Sequence, residues 1–332
     1  MTPALQLEFL DLRHFSAQHL RPLLDEESAL WSQCLHWDYR NSATLVLQYI
    51  ESHLLTGYVA LDQGHIRGYI FCVYENRKAV IGDVFASRQG IDESAAIAIE
   101  AQLVERLLET LQHTPGLVRV EAQLLLHPHR LLSGPFEKAG FRLFQRLFME
   151  SDLDDSPREI DSAQRGPFET AAGAHYRRWM ASDYDLAPQC ITAGYAGHID
   201  SEINDQYLSA SGAQRFLHNI VRFSGCGIFE EQSSWVLASG DGRKLFGLLL
   251  CSRVSERVGH VTQVCVLPEF QCHGVGKKLL QLCASSLQAR KFESITLTVT
   301  ERNAVAVKLY KQLGYRVRHH FDAMLWENAT QR

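Results

Sequence analysis

The residues best suited to chemistry lie near the C-terminus of this 332-residue chain, where a strand leads into a short loop with two glycines. The segment VCVLPEF predicts the strand, Gln271–Gly276 forms the loop, and an apolar period of 3.6 predicts a helix from about Val275. Gly274 and Gly276 let the backbone approach a ligand closely, and the free N–H groups at a helix start attract anions. The loop therefore predicts a pyrophosphate site, with a ligand-free glycine turn as the alternative.

A second motif, ITLTVTERNAVAVKLYKQLGYRV, follows the predicted helix. It predicts a strand, then a helix that begins after Asn303 as its N-cap, and a third strand beyond Gly314, which suits the position just after a helix end. This second helix carries Tyr310. The tyrosine is either a core aromatic residue or a proton donor at a site shared with the glycine loop.

Together, the two motifs resemble the GCN5-related N-acetyltransferase (GNAT) superfamily. The resemblance rests on Q-C-H-G-V-G at Gln271–Gly276 and on N-A-x-A-x-x-L-Y-x-x-x-G-Y at Asn303–Tyr315. It implies an α/β fold with a mixed sheet and acetyl-CoA as co-substrate, without a metal. In that family, backbone amides of the loop hold the CoA pyrophosphate and the tyrosine lies near the CoA sulfur.

The resemblance also implies which residues contact acetyl-CoA. Backbone groups of the strand are expected to pair with the pantetheine arm and the thioester, so Cys265 is interpreted as a small buried residue and not as a nucleophile. His273 stands where many members have arginine or lysine, and Lys277 offers compensating charge. The full set is Val264, Cys265, Val266, Gln271, Cys272, His273, Gly274, Val275, Gly276, Lys277, Asn303 and Tyr310.

Acetyl transfer by direct attack needs an acid for the leaving thiolate and a base for the amine. Tyr310 is the expected acid. His260 is the expected base: it precedes Gln271 by eleven residues, where the histone-acetyltransferase branch of the family carries a glutamate, and an imidazole with a pKa of about 6.5 accepts a proton near neutrality. A structural strand histidine is the alternative, with Glu230 and Glu231 as reserve bases.

The segment from Tyr184 to Phe229 is expected to select the acceptor. It contains four candidate substrate residues, namely Tyr195, Asp200, Glu202 and Asp205. The three carboxylates can attract an ammonium group, or they can form a solvated helix–loop face. The sequence thus predicts an N-acetyltransferase that acts on a primary amine of a small molecule. A protein or peptide N-acetyltransferase and a non-catalytic acyl-CoA-binding regulatory module are the alternatives.

The length of the chain and an internal repeat predict two domains. The polar, proline-containing stretch 151–167 predicts a linker, and FEKAGFRLF at Phe136 matches YKQLGYRVR at Tyr310. We therefore expect two tandem GNAT domains, at 1–150 and 168–332, each with a mostly antiparallel central sheet flanked by helices.

The N-terminal copy departs from the family pattern at the residues that would bind the cofactor. Its segment FASRQGIDESAAIA lacks G-x-G, and it places Asp92 and Glu93 where phosphates would sit. Phe136 replaces the tyrosine and cannot donate a proton. The first domain is therefore expected to be degenerate.

Composition excludes several other classes of protein. A net charge of −5 without a basic run argues against nucleic-acid binding, and eight cysteines without a C-x-x-C pair indicate a reduced, cytoplasmic chain. No stretch reaches the roughly 20 apolar residues that span a bilayer. The pairs His127 with His129 and His319 with His320 lack the spacing of a zinc site, so no metal is expected.

Overall fold

The computed structural model describes residues 6–153, 173–222 and 227–328. The chain divides into two compact units, the first made of Met1–Arg146 with His319–Arg332 and the second of Leu147–Arg318. The sequence-based boundaries at 1–150, 151–167 and 168–332 remain a prediction. Most of the predicted linker lies outside the described residues, and the unit bounds differ mainly by giving 319–332 to the first unit.

The first unit is a mixed sheet with helices on both faces. Its strands follow the order β1-β2-β3-β4-β5-β13, in which β4 and β5 are parallel and the other neighbours are antiparallel. The elements are β1 (Leu7–Asp11), α1 (Ala17–Leu35), α2 (Arg40–Glu51), β2 (Thr56–Asp62), β3 (His65–Glu75), β4 (Lys78–Ala86), α3 (Glu93–Gln112), β5 (Arg119–Gln123) and α4 (Ser133–Lys138), with most of β13 (Arg316–Glu327). The next strand, β6 (Arg142–Asp152), begins in this unit and lies mostly in the second.

Side-chain alternation along β3 explains why this sheet has two cores. Tyr69 packs with residues of α1 and α2 such as Leu20 and Leu47, whereas the next residue, Ile70, packs with α3 residues such as Leu103. All of these side chains are buried. Two-sided burial of apolar surface is therefore what holds the helices against the strands.

The second unit repeats this plan of strands and helices. Its sheet order is β6-β12-β11-β10-β9-β7, with β8 paired to β10, and only β11 and β12 among the pairs with a described register are parallel. The elements are β7 (His175–Arg178), α5 (Ala187–Gly194), α6 (Ile199–Ile203), α7 (Ala210–Val221), β8 (Ile228–Phe229), β9 (Trp235–Ala238), β10 (Leu245–Ser255), β11 (Val258–Val266), α8 (Val275–Ala289), β12 (Ser294–Thr300) and α9 (Ala304–Gln312). The predicted α/β fold with mostly antiparallel sheets is confirmed.

Candidate functional site

A gap opens between the parallel strands β11 and β12 of the second unit. Their pairing runs from Val258 with Ser294 to Val261 with Leu297. Immediately afterwards, the register between β10 and β11 shifts around Thr262, because Cys251 pairs with Val261 and Leu250 with Gln263. Such a bulge bends the strand and re-aims its side chains. The last residues of β11 thus follow β10 and leave β12, as the family resemblance implies.

Peptide groups of Val264 and Val266 face this gap. Leu267 N–H donates to the Phe246 carbonyl at 2.9 Å. In an antiparallel ladder, the peptide groups of successive residues point alternately toward the partner strand and away from it. The peptide groups of Val264 and Val266 therefore point away from β10. Two contacts agree with this orientation. The Tyr195 hydroxyl lies 3.3 Å from the Val264 carbonyl, and Gln271 Nε2 donates to the Val266 carbonyl at 3.0 Å.

The glycine loop at the end of the gap has the geometry of an anion site. Gly274 is the N-cap of α8, with φ of 80° and ψ of 0°, a left-handed conformation that glycine adopts without steric cost. A Cβ at Gly274 would meet no atom within 4 Å among the described residues. The first-turn N–H groups of α8 are therefore approachable from this side, and the helix dipole favours a negative ligand there.

Three residues of the predicted cofactor-binding set have exposed side chains at the glycine loop. Cys272 is exposed and has a positive φ of 60°, and Lys277 is exposed on the first turn of α8. His273 is also exposed, with its Nδ1 2.5 Å from the Gln271 carbonyl. Val275, by contrast, is 4% exposed and packs in the core, so only its backbone is placed to contact a ligand.

Tyr310 and Asn303 belong to α9, which follows β12. Asn303 caps this helix, as predicted, because its Oδ1 accepts from Ala306 N–H at 3.2 Å. Tyr310 is buried on the last turn, with its ring 5.8 Å from that of Tyr315. Gly314, with φ of 89°, ends the helix as expected. The local prediction for α9 is therefore confirmed, while the catalytic role of Tyr310 stays a prediction.

His260 lies in a setting that differs from the one assumed for a general base. Its side chain is buried, its Nδ1 is 2.8 Å from Thr296 Oγ1, and its ring stacks on Phe148. Burial lowers the pKa of His260 to about 3. The assumption of an ordinary imidazole pKa was wrong, because that assumption ignored burial, and His260 is neutral at physiological pH and a weak base.

The reserve bases differ in their surroundings. Glu230 is buried and forms an ion pair with Arg290 on the C-terminal side of α8. Glu231 is exposed at the start of a short 3-10 turn. Because its carboxylate is buried and already bound by Arg290, Glu230 is less accessible to a substrate and is the weaker candidate of the two.

The four predicted substrate residues are not equivalent. Tyr195 stacks on Tyr207 with a ring distance of 4.2 Å, and burial raises the pKa of Tyr195 well above its ordinary value. Asp200, at the start of α6, accepts a hydrogen bond from Thr300 at the end of β12. Glu202 is exposed on α6, and Asp205 is half-buried at the start of the next 3-10 turn. Of the four, Tyr195 and Asp200 thus lie at the gap strands.

Sequence reasoning missed two polar side chains at the gap. His198 caps α6 through Asp200 N–H at 3.1 Å from its Nδ1, and its Nε2 is 3.0 Å from Asn303 Nδ2. Gln263 follows the bulge, and its Oε1 accepts from the Tyr195 hydroxyl at 2.9 Å. No sequence pattern indicates the contact between His198 and Asn303, because the two residues are 105 positions apart in the chain.

Cys265 has no property of a nucleophile. It is 6% exposed, and its thiol contacts the Cys190 carbonyl at 3.8 Å. Hydrogen bonding with Cys190 and burial raise the pKa of the Cys265 thiol well above its ordinary value. A thiol that stays protonated cannot attack a thioester, which is consistent with direct transfer.

In the first unit, the backbone groups that correspond to those of β11 and of the start of α8 form hydrogen bonds with side chains of the same unit. Ala86 is the last residue of β4. Its N–H donates to the Glu100 carboxylate at 3.0 Å, and its carbonyl accepts from the Arg88 guanidinium at 2.5 Å. The Asp92 carboxylate accepts from Ala95 N–H at 2.8 Å and so caps α3. The anion-binding amides of this helix start are thus already in contact with a carboxylate.

The described residues contain neither a metal-binding cluster nor a membrane-spanning helix. No group of three or more His, Cys, Asp or Glu side chains in the described ranges 6–153, 173–222 and 227–328 is placed to hold a metal ion. Within the same ranges, no helix is long and apolar enough to cross a membrane.

Comparison with known proteins matches part of the second unit to a family. Residues 201–315 match the family model described as acetyltransferase (GNAT) family, whose members use acetyl-CoA as co-substrate. A [ribosomal protein bS18]-alanine N-acetyltransferase from Haemophilus ducreyi is 42% identical over 48 residues, which cover 14% of this chain and only 33% of that enzyme.

Solved structures show the same fold over nearly the whole chain. A GCN5-related N-acetyltransferase from Sphaerobacter thermophilus superimposes with a TM-score of 0.62 at 15% identity, covering 97% of this chain and 95% of that one. A tandem GNAT protein from the clavulanic acid biosynthesis pathway gives 0.54 at 13% identity, with 97% and 98% covered. The second unit therefore contains a segment, residues 201–315, that matches the GNAT family, and the chain has the fold of these GNAT structures, a tandem GNAT protein among them.

Proposed function

We propose that the second unit transfers the acetyl group of acetyl-CoA to a primary amine by direct attack. The observation that carries this proposal is the gap between β11 and β12, which runs into the open Gly274 loop at the start of α8. Gap-facing peptide groups at Val264 and Val266 would pair with the pantetheine arm, and the first-turn amides of α8 would bind the pyrophosphate. The thioester then lies beside β11, with its oxygen within reach of a strand N–H group.

Tyr310 is the proposed acid for the departing thiolate. It is held in the core by its ring contact with Tyr315, on a helix whose start is fixed by the Asn303 cap. Its phenol can donate a proton to the CoA sulfur as the bond between the acetyl carbon and that sulfur breaks. Binding of CoA phosphates alone would not require this phenol.

His198 is the proposed route for the proton of the amine, in place of the buried His260. Its side chain is 31% exposed, and its Nδ1 is 3.6 Å from the Asp200 carboxylate. Its ring also contacts Tyr195, which in turn reaches Val264 in the gap. An imidazole beside a carboxylate and open to solvent can take up a proton and release it to water.

The acceptor is proposed to be the amine of a small molecule. Asp200 provides a negative charge beside the gap, where it would attract the ammonium form of the amine. A peptide N-terminus is the second candidate, because the matched 48-residue segment belongs to an enzyme named for acetylating the alanine of a ribosomal protein. Both acceptors present the same nucleophile to the same thioester.

Calorimetry with acetyl-CoA tests the proposal. Gly274→Glu should abolish binding, because a carboxylate would project into the phosphate site, whereas Gly274→Ala reports the backbone strain alone. Gly90→Glu is the matched control in the first unit: Gly90 has φ of 74°, similar to the 80° of Gly274, and a Cβ at either glycine meets no described atom within 4 Å.

We expect about one site per chain, lost in Gly274→Glu and retained in Gly90→Glu. Thiol release with a panel of amines and peptides would then identify the acceptor. Absence of binding to the parent chain would remove the acetyltransferase proposal. Tight binding without turnover on any amine would favour the regulatory acyl-CoA-binding module.

A further inference from the structure

We infer that the side-chain amide of Gln263 donates a hydrogen bond to the acyl carbonyl of bound acetyl-CoA, and that Tyr195 is the positioning residue for this amide. The inference rests on the proposed function and deepens it, because it assigns the recognition of the acyl group to a named side chain. Neither residue belongs to the glycine loop or to α9.

Gln263 is placed by the bulge at the start of the gap. It is the first residue of β11 after the register shift around Thr262, and its side chain is 3% exposed. The Tyr195 hydroxyl donates to its Oε1 at 2.9 Å. This contact fixes which end of the amide faces Tyr195, so the Nε2 end points elsewhere.

The Nε2 group is a buried donor without a hydrogen-bond partner among the residues that the structure describes. An unpaired buried donor costs about 1–3 kcal/mol, and such groups are rare enough in native proteins to need an explanation. A ligand oxygen that accepts this N–H would offset that cost. Because the group is already removed from water, the ligand would not have to desolvate it.

The first unit provides an internal comparison. Its β4 has the same register shift, since Cys72 pairs with Ile81 and Phe71 with Asp83, and this places Asp83 at the position of Gln263. Asp83 is hydrogen-bonded to Glu27, and its Oδ1 accepts from Val84 N–H at 2.9 Å. The position after the bulge thus carries a buried polar side chain in both units. Only in the second unit does the structure leave the donor of that side chain unpaired, within the described residues.

The acyl carbonyl is the ligand oxygen that fits this donor. Gln263 is the neighbour of Val264, whose peptide groups face the gap, and the Tyr195 hydroxyl contacts both Gln263 Oε1 and the Val264 carbonyl. One hydroxyl therefore joins the amide to the stretch of β11 that would hold the thioester. The phosphates bind farther along, at the Gly274 loop, and free CoA has no carbonyl at its sulfur.

Acetyl-CoA and CoA are the two probes, because they differ only in this acyl group. Their affinities are measured by calorimetry for the parent chain, Gln263→Leu, Tyr195→Phe and the control Gln312→Leu, an exposed glutamine at the end of α9. In Gln263→Leu, we expect acetyl-CoA affinity to fall about two- to tenfold, as for one neutral hydrogen bond, while CoA affinity is preserved. Tyr195→Phe should shift the ratio in the same direction and by less.

Infrared spectra of bound acetyl-CoA labelled with 13C at the carbonyl give a second readout. A hydrogen bond lowers the carbonyl stretching frequency, so the band should lie higher in Gln263→Leu than in the parent chain. An unchanged band and an unchanged affinity ratio would overturn the inference. Equal losses for both probes would do the same, because they indicate a structural role. Failure of the parent chain to bind either probe would instead remove the proposed function itself.

Discussion

A buried carboxyl pair in the first unit makes the stability of that unit depend on pH. Glu27 on α1 is fully buried and accepts hydrogen bonds from the Tyr69 hydroxyl at 2.5 Å and from Trp31 Nε1 at 3.3 Å. It is also hydrogen-bonded to Asp83 on β4, which is 4% exposed. A hydrogen bond between two carboxyl groups requires a proton on one of them. Since Glu27 already accepts from two other donors, the proton resides on Asp83.

The direction of the pH effect follows from the pKa of Asp83 in the folded state. Burial and the negative charge of Glu27 raise the pKa of Asp83 well above its ordinary value. The folded unit therefore holds a proton that the unfolded chain releases above a pH of about 4. Stability is fully present below that pH and falls as the pH rises toward the folded pKa, by about 1.4 kcal/mol per unit. Between pH 5 and pH 7, the loss is at most about 2.7 kcal/mol.

Asp83→Asn should remove this loss. The amide N–H would donate to Glu27 at every pH, and the amide oxygen can still accept from Val84 N–H. Relative to the parent chain, the free energy of unfolding of the first unit should therefore increase between pH 5 and pH 7, by up to about 2.7 kcal/mol.

Hydrogen exchange of the α3 amides, Glu93–Gln112, measures this free energy for the first unit alone. The difference in free energy of unfolding between the two proteins at each pH removes the contribution of other charged groups near the pair. These groups include Glu100, His127 and Arg88. Glu8→Gln, at an exposed carboxylate of β1, is the control and should give a constant difference. A constant difference for Asp83→Asn as well would refute the assignment of the shared proton.

The remaining predictions concern the second unit. Tyr310→Phe should lower turnover about tenfold to a thousandfold while acetyl-CoA affinity is preserved, and unchanged turnover would exclude Tyr310 as the acid. His198→Ala should remove the acidic limb of the pH–rate profile if that residue takes the proton of the amine. His260→Ala should leave that limb in place, because burial holds the pKa of His260 at about 3, but it should lower the melting temperature through loss of the Phe148 contact. A limb that disappears with His260→Ala would return the base role to His260.

Features set by neighbouring residues could be predicted from the sequence. The Asn303 cap, the left-handed Gly274 and the helix end at Gly314 each follow from local backbone chemistry, and all three are present. The burial of His260 could not be predicted in this way. Its ring is covered by Phe148 of β6, far away in the chain, and its Nδ1 contact comes from Thr296 on the adjacent strand.

The burial of the side chains that follow the two β-bulges could not be predicted from the sequence either. Asp83 and Gln263 differ in type and belong to segments without a shared motif, yet the register of each strand puts them at the same place. A shift of one residue reverses which face a strand residue occupies, so a bulge that is invisible in the sequence decides whether these side chains are buried. The partners of each, Glu27 and Tyr195, come from helical segments far from the strand.

The difference between the two units can be argued from their backbone hydrogen bonds. In the first unit, the N–H and carbonyl of Ala86 are bound by charged side chains, so a pantetheine arm would have to displace Glu100 and Arg88 from each other as well as from the strand. In the second unit, the equivalent Val266 carbonyl is contacted by the exposed side chain of Gln271, a neutral group on the loop that the ligand itself would approach. Displacing one neutral, exposed amide costs less than breaking a partly buried ion pair. With the same strand geometry, the backbone groups of the second unit are thus easier for a ligand to reach than those of the first.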